Sequence, residues 1–179
     1  MALGPTLETD RLILRPPIAD DFEAWAAFTA DPAASEFLGG AQPPEAAWRI
    51  LCTTAGAWAI GGFSMFSVIE KASGRWVGRL GPWRPHGWPG DEVGWGIVRD
   101  AWGRGYATEG ASAAIDWAFD TLGWEQVVHC IDAHNYRSQS VARRLGSAVL
   151  RQAMLPPPIS APVDVWGQTR TQWAARRRP

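Results

Sequence analysis

The segment 92–110 reads EVGWGIVRDAWGRGYATEG, in which a carboxylate is followed by a short apolar strand, a glycine-rich turn and a helix. Backbone N–H groups at the start of a helix have no partner inside it, and the helix dipole makes that end positive. Glycines such as Gly103 and Gly105 let a ligand approach the backbone closely. The segment therefore predicts a binding site for a phosphate-like anion.

Two phosphate-binding patterns do not fit this turn. The stretch GYATEGAS at 105–112 has Ala111 where the nucleoside-triphosphate loop needs a lysine. The dinucleotide pattern would need a third glycine where Thr108 stands. A third pattern, Gly-x-Gly/Ala at the mouth of a helix, is met by Gly105, Tyr106 and Ala107. That pattern is short and unspecific, so the rest of the chain must decide which anion binds.

The apolar periodicity and the positions of glycine and proline predict the elements that hold this turn. Helices are predicted over 20–30, 44–58, from the turn to about 122, and over 138–145. Strands are predicted over 11–15, 63–70, 75–83, 92–98, 126–132, 148–154 and 164–173. This order favours a mixed sheet with helices on both faces. The length of 179 residues suits a single domain, 1–179, with a core over about 7–175.

Composition excludes several classes of function. A net charge of −1 provides no field for bulk binding of nucleic acid or membrane, so neither is expected as a partner. No stretch resembles a signal peptide or a membrane span, and the two distant cysteines suit a reducing, cytoplasmic location. His129 and Cys130 would face opposite sides of a strand, which argues against a metal site. Most of the twelve tryptophans are predicted to form core and pocket wall, and Arg176 to Arg178 a solvated basic end.

Three motifs in order make the chain resemble a known family. They are ETDRLILRP at 8–16, WGRGYATE at 102–109, and Asn135 with Ser138, Val141 and Leu145-Gly146. The chain resembles the GNAT superfamily of N-acetyltransferases, and within it the ribosomal-protein N-acetyltransferase branch of RimJ/RimL type. The resemblance implies an α/β fold: a mixed, mostly antiparallel twisted sheet of six to seven strands flanked by about four helices. It also implies acetyl-CoA as co-substrate, no metal, and a monomer or homodimer.

The resemblance assigns the turn to the pyrophosphate of acetyl-CoA, bound by backbone amides around Trp102, Gly103, Arg104, Gly105, Tyr106, Ala107 and Thr108. Arg104 would add charge near the phosphates, or else be a solvated turn residue. Glu109 is expected to point away from them. The amide of about Val98 would polarise the thioester carbonyl. Asn135 would contact the pantetheine arm or the adjoining strand, or cap the next helix.

Glu92 matches, within about one residue, the carboxylate that many GNAT enzymes use as general base. The alternatives are a solvated Glu92, or Asp91 as the base. The tyrosine that many family members use to protonate the leaving thiolate is replaced by Ala142. Ser138, or a water it holds, is the substitute candidate, with helix capping as its alternative role. Ser147 stands where the family usually has phenylalanine, which predicts looser local packing.

The acceptor pocket is predicted from Phe37 in the loop 37–40 and from Trp83, His86 and Trp88 before the fourth strand. The implied function is transfer of an acetyl group from acetyl-CoA to a primary amine by direct attack in a ternary complex. The acceptor would be a protein N-terminal α-amine or a small-molecule amine. An aminoglycoside or polyamine would need a strongly acidic pocket, and these loops are not acidic. The alternative is a non-catalytic acyl-CoA-binding or regulatory module on the same fold.

Overall fold

The computed structural model describes residues 3–176, and within them eight strands form one sheet accompanied by six α-helices. The strands are β1 (Leu7–Glu8), β2 (Leu12–Arg15), β3 (Phe66–Glu70), β4 (Trp76–Trp83), β5 (Glu92–Ile97), β6 (Gln126–Ile131), β7 (Ala148–Met154) and β8 (Pro162–Thr169). The helices are α1 (Phe22–Ala30), α2 (Pro32–Ser35), α3 (Pro44–Gly61), α4 (Tyr106–Asp120), α5 (Tyr136–Leu145) and α6 (Arg170–Arg176). None of these helices has the length and apolar character needed to cross a membrane.

The sheet order is β1-β2-β3-β4-β5-β6-β8-β7, and every neighbouring pair is antiparallel except β5 and β6. The predicted mixed, mostly antiparallel sheet is therefore confirmed. The predicted six to seven strands and about four helices were too few. The additional elements include the two-residue β1 and the four-residue α2, which are too short to leave a periodic pattern.

The predicted last strand, 164–173, was wrong in its second half. β8 ends at Thr169, and α6 begins at Arg170. Trp173 lies buried on this helix, and its indole N–H donates to Asp116 Oδ1 at 2.7 Å. A tertiary contact therefore decides the conformation of this segment. Of the predicted basic end, residues 177–178 lie outside the described part of the chain.

Two groups of apolar side chains cover the two faces of the central strands. The larger contains α4, through Ala111, Ile115 and Phe119, packed against strand residues such as Leu80 and Val93. The smaller contains Trp25 and Phe28 of α1, Leu51 of α3 and Trp76 of β4. The strands between these layers carry the residues of the candidate site.

A buried ion pair fixes the start of α1 to the sheet. Asp21 accepts two hydrogen bonds from Arg15, at 2.7 and 2.8 Å, and one from Ser67 Oγ at 2.6 Å. Burial favours the neutral acid, but the hydrogen bonds from Arg15 and Ser67 outweigh it and hold the pKa of Asp21 below its ordinary 3.8. The stabilisation is complete above pH 3.8 and is lost as the pH falls through the lowered pKa of the folded state.

We expect Asp21→Asn to lower the free energy of unfolding by about 2 to 3 kcal/mol at pH 7, because it leaves the Arg15 guanidinium without its carboxylate. Urea titration at pH 7 measures the loss. Asp120→Asn is the control, because its pair with Arg170 is exposed and should change stability by less than about 0.5 kcal/mol. Equal effects of the two substitutions would contradict a structural role for the Asp21 pair.

Candidate active site

A cleft opens where β5 and β6 separate. The two strands share one paired position, Glu92 with Val128, and diverge beyond it. The cleft has a volume of about 400 Å³. Its walls come from β5, the turn before α4, the start of α5 and the segment after α2, and include Phe37, Trp95, Gly96, Ile97, Trp102, Ala107, Asn135, Ser138 and Val141. Residues from four separate parts of the chain therefore face one space.

The predicted anion-binding turn lies at the mouth of this cleft. Gly103 and Gly105 both have left-handed backbones, with φ of 74° and 82°. Gly105 is the N-cap residue of α4, and among the described residues no side chain caps this helix end, so the first N–H groups of the helix have no partner within it. A Cβ added to Gly103 would meet nothing within 4 Å. A helix start without a capping side chain, next to a glycine with open space around it, suits the binding of a diphosphate.

The N-terminal motif holds this turn in place. Glu109 accepts hydrogen bonds from Thr9 Oγ1 at 2.6 Å and from the Arg11 backbone at 2.9 Å, and its carboxylate pairs with the Arg11 guanidinium at 2.6 Å. The Glu109 side chain is therefore directed to Thr9 and Arg11, and its orientation away from a bound anion stays a prediction. Arg11 also donates to the carbonyl of Arg104 at 2.9 Å. Residues of two motifs that lie nearly a hundred positions apart in the sequence thus contact each other and hold the turn in place.

Glu70 holds the turn from the other side. The Tyr106 hydroxyl donates to its carboxylate, and Arg104 Nη1 lies 3.3 Å from the same Oε1. Tyr106 is buried, and its hydroxyl anchors the turn to β3. Arg104 is half exposed on its side chain and, in this structure, is directed to Glu70. Its predicted place beside the phosphates would require it to leave this partner.

The contacts at the start of α5 show which of Asn135 and Ser138 caps the helix. Asn135 is the N-cap residue, and its side chain accepts from the Ser138 backbone at 3.1 Å. The Ser138 hydroxyl is therefore not the cap. It accepts a hydrogen bond from Trp95 Nε1 at 3.2 Å across the cleft. Ala142, at the position of the family's tyrosine, is fully buried against Ile131 and Trp166.

Glu92 is buried rather than solvated, with 6% of its surface exposed. The Cys130 backbone donates to Oε1 at 3.0 Å, and the Trp88 indole donates to Oε2. Burial raises the pKa of Glu92 from 4.5 to about 7, against the hydrogen bonds from Cys130 and Trp88, which lower it. A carboxylate with a pKa near neutrality has the affinity for protons that a general base needs at physiological pH.

The residues predicted for the acceptor pocket occupy different places. Phe37 lines the cleft. Trp88 contacts Glu92, and Trp83 stands opposite Glu92 in the register of β4 and β5. His86 is exposed and is not among the residues that line the cleft.

The amide of Val98 does not face the cleft. It donates to the carbonyl of Val77 in β4 at 2.9 Å, which corrects its predicted contact with a thioester carbonyl. Alternate residues of a strand turn their polar backbone groups to opposite edges. Accordingly, the carbonyls of Val93 and Ile97 bond side chains on the β6 side, His129 Nδ1 at 2.7 Å and Trp102 Nε1 at 2.7 Å. The amides of Trp95 and Ile97 therefore point toward the cleft.

A buried polar chain beneath the cleft was missed by sequence reasoning. His129 joins the Val93 carbonyl through Nδ1 and Ser147 Oγ through Nε2, at 2.7 and 3.0 Å. Gln168 donates to Ser147 Oγ at 3.0 Å. Burial lowers the pKa of His129 to about 4, so its ring is neutral and joins β5, β6 and β8. Ser147 is thus a partner in a hydrogen-bond chain, a role that the local sequence does not signal.

The structure bears out the expectation that His129 and Cys130 face opposite sides of β6. His129 contacts Val93 and Ser147, whereas Cys130 lies against Glu92. Burial and the nearby Glu92 carboxylate raise the pKa of the Cys130 thiol well above its ordinary value, which keeps it protonated. Within residues 3–176, no group of three or more His, Cys, Asp or Glu side chains is placed to bind a metal ion.

Known proteins share this fold. A family model for the acetyltransferase (GNAT) domain matches residues 11–148. An acetyltransferase from Agrobacterium tumefaciens str. C58 is 32% identical with a TM-score of 0.82, over 93% of this chain and 95% of that one. Mycobacterium smegmatis RimJ, solved in complex with CoA-disulfide, is 16% identical with a TM-score of 0.69, over 90% and 83% of the two chains. At that identity the likeness shows the fold alone.

Among curated proteins, YkkB of Bacillus subtilis is 31% identical over 87 residues, which are 48% of this chain and 51% of YkkB. The match therefore spans about half the length of that relative. The family model covers most of the chain, and the cleft, the uncapped helix start and the buried carboxylate lie within it. The chain belongs to the family of GNAT acetyltransferase domains.

Proposed function

We propose that this protein transfers the acetyl group of acetyl-CoA to a primary amine, by direct attack of the amine in a ternary complex. The observation that carries the proposal is Glu92, a buried carboxylate with a pKa of about 7 at the start of the strand that borders the cleft. A base of this kind takes a proton from an ammonium near neutral pH. A non-catalytic module would have no use for a carboxylate held in a costly buried position.

Acetyl-CoA, when bound, supplies an acetyl group activated as a thioester. The backbone amides of residues 103–108 hold its diphosphate, and the cleft between β5 and α5 holds its arm. The amides of Trp95 and Ile97 point to the cleft side of β5, whereas that of Val98 bonds Val77, and they stabilise negative charge on the carbonyl oxygen.

Glu92 accepts the proton that the acceptor ammonium loses, directly or through a water. The nitrogen lone pair then forms the new N–C bond while the C–S bond of the thioester breaks. The nitrogen releases its surplus proton to solvent, and Glu92 returns its own proton to solvent before the next turnover. Ser138, or a water that it holds, donates a proton to the leaving sulfur and regains one from solvent. A thiol with a pKa of about 8.5 leaves at pH 7 at a cost of only about 2 kcal/mol, so a weak acid suffices here.

We expect Ser138→Ala to lower kcat by about 10-fold with little change in KM for acetyl-CoA, because the leaving sulfur loses its nearest proton donor. Steady-state kinetics at saturating acceptor measures the change. Ser140→Ala, on the same helix but not among the residues that line the cleft, is the matched control and should behave like the native protein. If both variants keep the native kcat, Ser138 has no part in the reaction.

The acceptor class follows from the family branch, which we propose to be the RimJ/RimL type. Support comes from the shared N-terminal and turn motifs and from the common fold with RimJ. The acceptor is accordingly a peptide N-terminal α-amine or a small-molecule amine. An α-amine of pKa about 8 needs less deprotonation than a lysine of about 10.4, which suits a base of pKa about 7. The two free cysteines, Cys52 and Cys130, agree with a proposed cytoplasmic location.

Release of free thiol from acetyl-CoA across a panel of peptides and small amines tests the activity, with mass spectrometry of the acetylated product. The proposal expects turnover with at least one amine. Calorimetric binding of CoA without turnover on any acceptor would instead favour a binding or regulatory module. Absence of CoA binding would remove both functions.

A further inference from the structure

Arg79 places a positive charge on the same face of the sheet as Glu92. Arg79 pairs with Gly96, and Glu92 pairs with Trp83, in the register of β4 and β5. Directly opposed residues of antiparallel strands share a face, as do alternate residues along each strand. The face is that of α1, because a Cβ added to Gly96 would meet the Phe28 ring at 2.8 Å.

The Arg79 guanidinium has only weak partners. Its Nη1 contacts the thioether sulfur of Met65, and its charge lies 5.9 Å from the centroid of the Trp25 ring. A thioether is a poor acceptor, and a ring face compensates a cation only in part. Among the residues that the structure describes, no carboxylate lies within 4 Å of Arg79, unlike the ion-paired Arg11 and Arg15.

Two buried N–H donors beside each other lack an acceptor. Within residues 3–176, neither Arg79 Nε nor Trp25 Nε1 has a hydrogen-bond partner. A buried donor without a partner lowers the stability of the fold, and it does so more when it is charged. Burial lowers the pKa of Arg79 to about 10, which still leaves it charged at neutral pH. Donors of this kind are the groups that an anion would satisfy.

Glu92 and Met65 lie beside the same glycine, and Met65 is the side chain that Arg79 contacts. A Cβ added to Gly94 would lie 3.4 Å from Glu92 Oε1 and 3.0 Å from the terminal methyl carbon of Met65. Met65 in turn contacts Arg79. Met65 thus connects the two charged groups: its methyl carbon lies beside Gly94, next to the Glu92 carboxylate, and its sulfur contacts the Arg79 guanidinium. Methionine is unbranched and adaptable, so it can rearrange to admit a ligand.

We propose that the acceptor amine carries an anionic group close to the amino group, with the ammonium at Glu92 and the anion at Arg79 and Trp25. The proposal rests on the amine acetyltransferase function above and narrows its acceptor. The anion is a carboxylate or a similar oxyanion, which the Arg79 fork and the Trp25 indole N–H suit as donors. Such an acceptor is a free amino acid or a peptide with an acidic residue beside its N-terminus.

The same cation excludes polyamines and aminoglycosides as good acceptors. Their additional ammonium groups would approach Arg79, and like charges in a poorly solvated site repel each other strongly. An alternative role for Arg79 is as a distant counter-charge to Glu92 alone. The two roles differ in their consequences, because a counter-charge would act equally on every amine, whereas an anion-binding residue acts only on anionic ones.

Matched pairs of acceptors test the proposal on the intact protein: amino acids against their carboxamides, and peptides with aspartate against asparagine at the second position. Rates are expressed per unprotonated amine, because amidation alters the pKa of the amino group. We expect kcat/KM to favour the anionic member at least 10-fold, mainly through KM. The pair that shows this preference identifies the source of the anion.

Arg79→Gln should abolish the preference and Arg79→Lys should retain part of it, because lysine keeps the charge without the fork. Arg84→Gln is the matched control, since Arg84 is exposed and paired with Asp91, and it should retain the full preference. A carboxylate that resembles the acceptor but lacks its amino group should inhibit the native protein in competition with the acceptor. It should not inhibit Arg79→Gln. Thermal unfolding and CoA binding establish that each variant is folded.

Equal kcat/KM for anionic and neutral members in the native protein would overturn the proposal while leaving the acetyltransferase function intact. Failure of every amine to react would overturn the proposed function itself. If Arg79→Gln does not fold, kcat/KM for the matched acceptor pairs in the native protein and in Arg79→Lys still tests the proposal. A preference that survives unchanged in a folded Arg79→Gln would also refute the role of Arg79.

Discussion

Glu92→Gln is expected to lower kcat/KM for the amine acceptor by about 10² to 10³-fold while leaving CoA binding unchanged. Glutamine has nearly the shape of glutamate, but its single oxygen can accept from only one of Trp88 and Cys130, and its NH₂ group faces the other donor. What is lost is the ability to take a proton. Initial rates across a pH series, together with calorimetric titration of CoA, measure both effects.

The pH profile identifies the base. Because burial raises the pKa of Glu92 to about 7, the carboxylate form that accepts a proton appears as the pH rises through 7. The kcat/KM of the native protein should therefore increase with pH around an apparent pKa near 7, and this increase should be absent from Glu92→Gln. Asp91→Asn tests Asp91 as the alternative base. A larger loss of kcat/KM in Asp91→Asn than in Glu92→Gln would show that Glu92 is not the base.

The same substitution should change how the stability of the fold depends on pH. In the unfolded chain Glu92 ionises near its ordinary 4.5, whereas in the folded protein it keeps its proton to about 7. Its contribution to stability therefore falls as the pH rises between these values and stays low above 7. We expect the free energy of unfolding of Glu92→Gln, relative to that of the native protein, to be up to about 3 kcal/mol higher at pH 8 than at pH 4. The same relative stability at both pH values would contradict the burial of Glu92 with a raised pKa.

Ala107→Glu is expected to weaken CoA binding by about 100-fold, or about 2.7 kcal/mol. Ala107 lies in the first turn of α4 and lines the cleft. An acidic side chain there suits the helix dipole, so the fold should be preserved or slightly stabilised. The same charge lies next to the proposed diphosphate site, where two like charges at close range repel by several kcal/mol. Calorimetry with CoA and thermal unfolding measure the two effects.

Ala107→Gln is the matched control, because it has the size of glutamate without the charge. It should lose much less affinity than Ala107→Glu, and the difference between the two should shrink at high salt. Equal losses in the two variants would attribute the effect to size alone. Unchanged CoA binding in Ala107→Glu would place the diphosphate elsewhere and remove the basis of the proposed function.

The sequence predicted the site best where a single segment carries the signal. The turn at Gly103 and Gly105, the start of α4 and the C-terminal glycine Gly146 of α5 follow from local backbone requirements. The role of Val98 was assigned from its position in the motif alone. It failed because the direction of a backbone amide depends on the register with the neighbouring strand, here with Val77.

By itself, the sequence determined the family and the glycine turn before α4, because these depend on residue types at short spacings within motifs. The mostly antiparallel sheet followed from the resemblance to that family. Only the tertiary structure decided that Glu92 is buried beside Cys130 and Trp88 and that, within residues 3–176, Arg79 Nε has no hydrogen-bond partner. It also decided that the chain after Thr169 turns into a helix. These properties depend on which distant residues exclude water from a side chain, and burial and pairing across the sheet leave no local pattern in the chain.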